Sequence, residues 1–150
     1  MGCKMKKVFY KLVRPIRNWY WFLFRPKTTG VKVVVESERD VLMIKNTYGK
    51  SIWTFPGGAV RTNEAPKTAA EREVLEEVGL RIKELRKIGE LLSTWEHKRD
   101  TIHCYVGMAN NRTIKIDPNE IQEASWFNKN QLPPEISTVA KEVVALWTPK

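Results

Sequence analysis

Cysteine and histidine are scarce in these 150 residues, with two of each. Cys3 and Cys104 are too few for a disulfide-stapled scaffold or a zinc site, and a reducing cytoplasm is the expected compartment. Long hydrophobic runs are missing as well. The longest uncharged aromatic stretch, Asn18 to Phe24, falls far short of the roughly 20 residues a membrane-spanning helix requires. Arg25-Pro26-Lys27 follows it with no small-residue cleavage site, which argues against a signal peptide. Lys6 stands where a myristoylation pattern wants Ser or Thr, which argues against acylation at Met1-Gly2-Cys3. Internal repeats and long linkers are also lacking, and the length suits one domain with a real core.

Acid is missing from one region in particular. Residues 1 to 30 carry eight Lys or Arg and no Asp or Glu, whereas the rest of the chain holds 18 basic and 17 acidic residues. The net charge of +9 therefore belongs almost wholly to the leader, and the remainder is close to neutral. A nucleic-acid argument from overall basicity would be misplaced. Met5, Val8, Phe9, Leu12, Val13, Ile16, Trp19, Tyr20 and Leu23 fit within an arc of about 140° on a helical wheel, with Lys6, Lys7, Lys11, Arg14 and Arg17 elsewhere. Residues 1–29 thus read as a basic, aromatic amphipathic leader, kinked or split at Pro15, and residues 30–150 as the folded domain. Trp19, Tyr20 and Trp21 suit a polar–apolar boundary, so peripheral contact of residues 4–24 with an anionic inner membrane face is one expectation. Packing on the domain or at a dimer seam is the other, and attraction of RNA a third.

Residues 58 to 80 carry the chemistry. Lys67 to Val78 is rich in Ala, Glu, Arg and Leu, has Pro66 at its start and stops at Gly79, the pattern of a helix about three turns long. At 100° per residue, Arg72, Glu76, Ala69, Glu73 and Glu77 share one face, and Ala70, Val74, Val78 and Leu75 the other. Glu71 falls among the apolar positions and is expected at their solvent edge. Glu73 and Glu77, four apart, repel one another unless a cation offsets the charge. Hard divalent cations take oxygen ligands, and Gly57-Gly58 permits a tight turn that can leave a carbonyl oxygen, that of Gly58, facing the acids. An isolated Glu-x-x-Glu-Glu would be a solvated helix face.

The full spacing argues otherwise. Gly58, Glu64, Arg72-Glu73-Val74, Glu76-Glu77 and Gly79-Leu80 resemble the Nudix box of the Nudix hydrolases at every specified position. The resemblance implies an α/β/α sandwich with a mixed sheet and metal-dependent cleavage of a pyrophosphate linkage in a nucleotide derivative. It implies Glu73, Glu76, Glu77 and the Gly58 carbonyl as ligands of Mg²⁺ or Mn²⁺, and an orienting role for Arg72 and Glu64. Glu120, in the acidic segment before Trp126, is the expected general base, with Glu123 the second choice. A nucleotide-binding module without turnover and removal of pyrophosphate from an RNA 5′ end are the alternatives.

The rest of the domain alternates strand and helix signals. Val31–Glu36 and Val41–Lys45 form a hairpin pattern around Ser37-Glu38-Arg39-Asp40. Lys87–Trp95, Thr101–Ala109 and Ala124–Phe127 are further strand candidates, and Pro133–Trp147 is the expected last helix, with Ile136, Val139, Ala140, Val143, Val144 and Trp147 as its core stripe. His97 is expected in a solvated loop. His103, Tyr48 and Trp53 read first as packing residues and second as ligand contacts.

Overall fold

The computed structural model describes residues 27–93 and 99–147. The helix expected in the leader and His97 lie outside the described residues, and the leader's last positions, Lys27 to Thr29, open the first strand. The elements in order are β1 (Lys27–Ser37), β2 (Asp40–Asn46), α1 (Pro66–Val78), β3 (Ile82–Ser93), β4 (Arg99–Ala109), β5 (Ile121–Asn128) and α2 (Thr138–Leu146). The five strands form one sheet in the order β3-β4-β1-β2-β5, with β1 and β4 parallel and the other neighbours antiparallel. This is the mixed sheet and α/β/α layering expected from the sequence.

Alternation along the central strands divides the core in two, because successive side chains of a strand point to opposite faces. Val31, Val33 and Val35 of β1 join Leu42 and Ile44 of β2 beneath α1, together with Ala70, Val74 and Val78. Val34, Val41 and Met43 point the other way, onto Phe55, Cys104, Ala140, Val143 and Trp147 on the α2 side. Both faces are covered, so β1 reads as a valine run interrupted only by Lys32.

β1 and β2 pair at their hairpin end, Glu36 with Val41 and Ser37 with Asp40. Farther along, the segment after Trp53 is wedged between them. Thr54 exchanges both backbone hydrogen bonds with Ile44, while Val33 and Val31 donate to the carbonyls of Pro56 and Gly58, and Val60 donates to Thr29. Gly57 is obligatory here, since with φ at 145° a Cβ would stand 2.0 Å from the Val31 carbonyl oxygen. The wedge delivers the glycine turn to the foot of α1.

Several element boundaries differ from the sequence expectation, two of them by five residues. The last helix starts at Thr138, not Pro133, because Ile136 forms a bridge to Trp53 and the Ser137 side chain caps the helix by accepting from the Ala140 amide. The intended stripe still packs on the α2-side core. β3 begins five residues before Lys87, at Ile82, through a charged stretch with two register shifts and Glu84 at φ 54°. An edge strand facing water tolerates such irregularity and hides its alternation.

Candidate active site

The site grows from α1. Pro66 opens the helix at its first turn, and Gly79 closes it in the left-handed conformation, donating to the Leu75 carbonyl. Its orientation departs from the wheel's division into acid and apolar faces. Ala69, Ala70, Glu73, Val74, Glu77 and Val78 are buried, while Leu75 is 43% exposed. Two carboxylates have taken the place toward the core that Leu75 was expected to hold. Glu71 stays in solvent.

Polar partners account for this rotation, because a buried charge persists only when it is paired. Glu77, 2% exposed, accepts the Gly57 amide at 2.9 Å. Burial pushes its carboxyl up to about 7, against the pull of Lys32 and the Gly57 amide. Glu73, 9% exposed, accepts from Arg72 at 2.7 Å and lies directly under Gly58, where a Cβ would stand 2.7 Å from its carboxyl carbon. Gly58 thus leaves room for a carboxylate. Its carbonyl oxygen accepts the Val31 amide, so one of its two lone pairs is engaged.

Arg72 is saturated by its surroundings. Its Nε and Nη2 grip both oxygens of Glu64 at 2.7 and 2.9 Å, Nη1 reaches Glu73 and Glu76, and Nη2 also donates to the Ala59 carbonyl. The bidentate grip holds the Glu64 carboxyl well below its usual range, at about 2. Glu64 also accepts the Arg61 amide, which ties the glycine loop to the helix.

Glu76 is half-exposed and bonded on its outer side by Arg61 at 3.3 Å. Glu120 approaches from the opposite loop. The Lys115 and Asp117 amides donate to the last carbonyls of α1, and the Glu120 carbonyl accepts the Thr47 amide at a bulge in the β2–β5 pairing. Burial, reinforced by Glu73, Asp117 and Glu76, holds the Glu120 carboxyl above its ordinary value. Glu123 faces elsewhere, paired with Lys45 at 3.0 Å.

The sequence reading overlooked two residues. Lys32, inside the valine run of β1, donates to the Phe55 carbonyl at 2.9 Å and feels the charges of Glu77 and Glu73, while burial lowers its pKa. A lone lysine in a strand covered on both faces was the available signal. Arg61 had none, since exposed loop arginines are ordinary. His103 packs half-buried beside Glu90, and Trp53 packs edge-on against Phe127 with Lys45 over its ring. Cys104 is buried, and burial raises its thiol to about 11, so it is inert packing.

The donor set suits a hard divalent cation. Glu73, Glu76, Glu77 and Glu120 bring four carboxyl groups into one neighbourhood, with the basic side chains of Arg72, Arg61 and Lys32 beside them. Among the described residues no three acidic, imidazole or thiol groups are gathered as a finished cage. Protein donors hold the carboxylates instead.

A family description of the NUDIX domain matches residues 26–147. The chain belongs to the Nudix family. Hydrolysis of pyrophosphate bonds is the chemistry of Nudix hydrolases. The NAD-capped RNA hydrolase NudC of Escherichia coli is 28% identical over 115 residues, covering 75% of this chain and 44% of that protein. The chain thus spans less than half the length of that relative. The Nudix fold is shared with the MutT NUDIX hydrolase of Burkholderia pseudomallei, at a TM-score of 0.73 and 19% identity over 82% of this chain and 99% of that one. An ADP-ribose pyrophosphatase of Streptococcus suis superimposes at a TM-score of 0.64 and 20% identity, over 79% and 87% of the two chains.

Proposed function

We propose that this Nudix protein is a divalent-cation-dependent hydrolase that splits the phosphoanhydride of a nucleoside diphosphate derivative. The observation that carries this reading is the burial of Glu73 and Glu77 beneath the glycine turn, an arrangement costly to the fold and useful for holding a cation. Glu73, Glu76 and Glu77 would hold Mg²⁺ or Mn²⁺, with the free lone pair of the Gly58 carbonyl as a further ligand. Such an ion, when bound, neutralises charge on the pyrophosphate oxygens and makes water a better nucleophile at neutral pH.

The chain's own groups supply the rest. Glu120, with its raised proton affinity, accepts a proton from the attacking water as oxygen bonds to phosphorus and the bridging P–O bond breaks. Arg72 and Glu64 hold Glu73 and the glycine loop in place and touch no substrate themselves. Turnover is tested by offering nucleoside triphosphates, dinucleoside polyphosphates, nucleotide sugars, NADH and 5′-triphosphorylated RNA with Mg²⁺ or Mn²⁺ and weighing the products. Hydrolysis of none of them would favour the binding-module alternative.

A second reading, action on RNA 5′ ends, is supported by the +8 leader and by the likeness to NudC, a hydrolase of NAD-capped RNA. It requires faster turnover of capped or triphosphorylated RNA than of the free nucleotide. The leader, residues 1–29, is proposed to dock the domain, residues 30–150, on an anionic membrane face through residues 4–24. No helix among the described residues is long and apolar enough to cross a membrane. Flotation with anionic vesicles, compared between the full chain and one lacking residues 1–24, checks the docking; equal flotation would remove it.

A further inference from the structure

The two arginines at the carboxylates are held very differently. Arg72 is 15% exposed and saturated, whereas the Arg61 side chain is 64% exposed and makes, among the described residues, a single 3.3 Å ion pair, to Glu76 Oε1, itself on a side chain 49% exposed. The backbone beneath Arg61 is fixed, because its amide donates to Glu64 at 2.9 Å, so only its side chain needs to move. Exposed ion pairs of this kind are worth roughly 0.2 to 1 kcal/mol and break readily. Arg61 also lines an open cleft of about 590 Å³, together with Thr28, Thr29, Thr62 and His103.

From this geometry we infer that Arg61 is a displaceable counter-ion of Glu76, released when a divalent cation takes that carboxylate and then free to bind a substrate phosphate at the cleft. The inference rests on the proposed cation site at Glu73, Glu76 and Glu77. A cation at that site neutralises Glu76, which removes the attraction holding the guanidinium. The freed fork then lies at a solvent-open cleft whose one carboxylate, Glu64, is already gripped on both oxygens by Arg72, a setting suited to phosphate oxygens. The same residue thereby makes phosphate binding depend on the cation.

The test follows Mn²⁺ binding to the full chain by electron paramagnetic resonance, with no substrate and no turnover. Arg61→Ala is expected to tighten Mn²⁺ about two- to fivefold, because the competing ion pair is gone. In the presence of Mn²⁺ the same variant is expected to weaken a methylene-bridged nucleoside diphosphate, measured calorimetrically, by about tenfold. Arg61→Lys, which keeps the charge without the fork, should fall between. Unchanged or weaker Mn²⁺ binding in Arg61→Ala overturns the counter-ion role, and unchanged analogue affinity overturns the phosphate role. Lack of saturable Mn²⁺ binding in the wild type, or its survival in Glu77→Gln, would instead overturn the cation site itself.

Discussion

α1 and α2 cover opposite faces of one sheet, yet they are built on different terms. Beneath α2 the buried apolar residues are Val34, Val41, Met43, Phe55, Cys104, Val106, Ala140, Val143 and Trp147, with the buried Thr54 bonded to Ser137 and, among the described residues, no buried carboxylate. Beneath α1 the apolar set is larger, but Glu73 and Glu77 are buried with it while Leu75 is left in water. One helix packs chiefly through apolar contacts, and the other accepts the desolvation of two acids. The difference identifies the face where stability has been set against chemistry.

The sharpest way to break this contrast is to neutralise the acids. Glu77→Gln or Glu76→Gln should lower cation-dependent turnover about a thousandfold, the effect of losing several kcal/mol of charge stabilisation, with the circular dichroism spectrum unchanged. Retained hydrolysis would sink the ligand assignment.

The two glycines divide the roles of fold and site within a single turn. Gly57→Ala puts a Cβ against the Val31 backbone and should destabilise the protein by more than about 4 kcal/mol, read from the urea midpoint. Gly58→Ala meets the movable end of Glu73, so it should displace that carboxylate and cost activity far more than stability. On the opposite face, Met43→Ala should cost about 2 to 5 kcal/mol by leaving a cavity, while the protein that remains folded keeps its cation dependence.

The smallest expected effect is a pH dependence confined to the α1 face. In chelator, the folded protein keeps the Glu77 proton up to about pH 7, whereas an unfolded glutamate releases its proton near 4.5. The native state therefore binds more protons across that window, and stability should fall as pH rises through it, by up to about 3 kcal/mol. Glu64 has the opposite sign, because its depressed carboxyl stabilises the fold above pH 4.5 and that contribution is lost as pH falls toward 2. Urea midpoints at pH 5 and 8 should differ in the wild type and converge in Glu77→Gln. A wild-type midpoint that rises over this range would contradict the buried-acid account.

Much of the site could be read from spacing. Pro66 and Gly79 bound α1 as their backbone preferences require, and the valine run of β1 marks a strand covered on both faces. The bidentate Arg72–Glu64 pair joins a helix to its preceding loop, a short-range relation that a wheel and a loop length can suggest. Lys32 was harder to see, since its partners lie across the wedge and on a helix more than forty positions away. The early start of β3 was hidden because an edge strand need not alternate.

The amino-acid sequence alone carried the reaction family, the helix that bears the acids, and the concentration of net positive charge in the leader. These depend on residue type and on separations of a few positions, where helical geometry converts spacing directly into neighbourhood. Tertiary structure decided which way α1 turns, which carboxylates are dehydrated, and which arginine is locked and which free. Those outcomes hang on the wedge between β1 and β2 and on the loop fastened to the end of α1, contacts between distant segments whose energies no local pattern encodes.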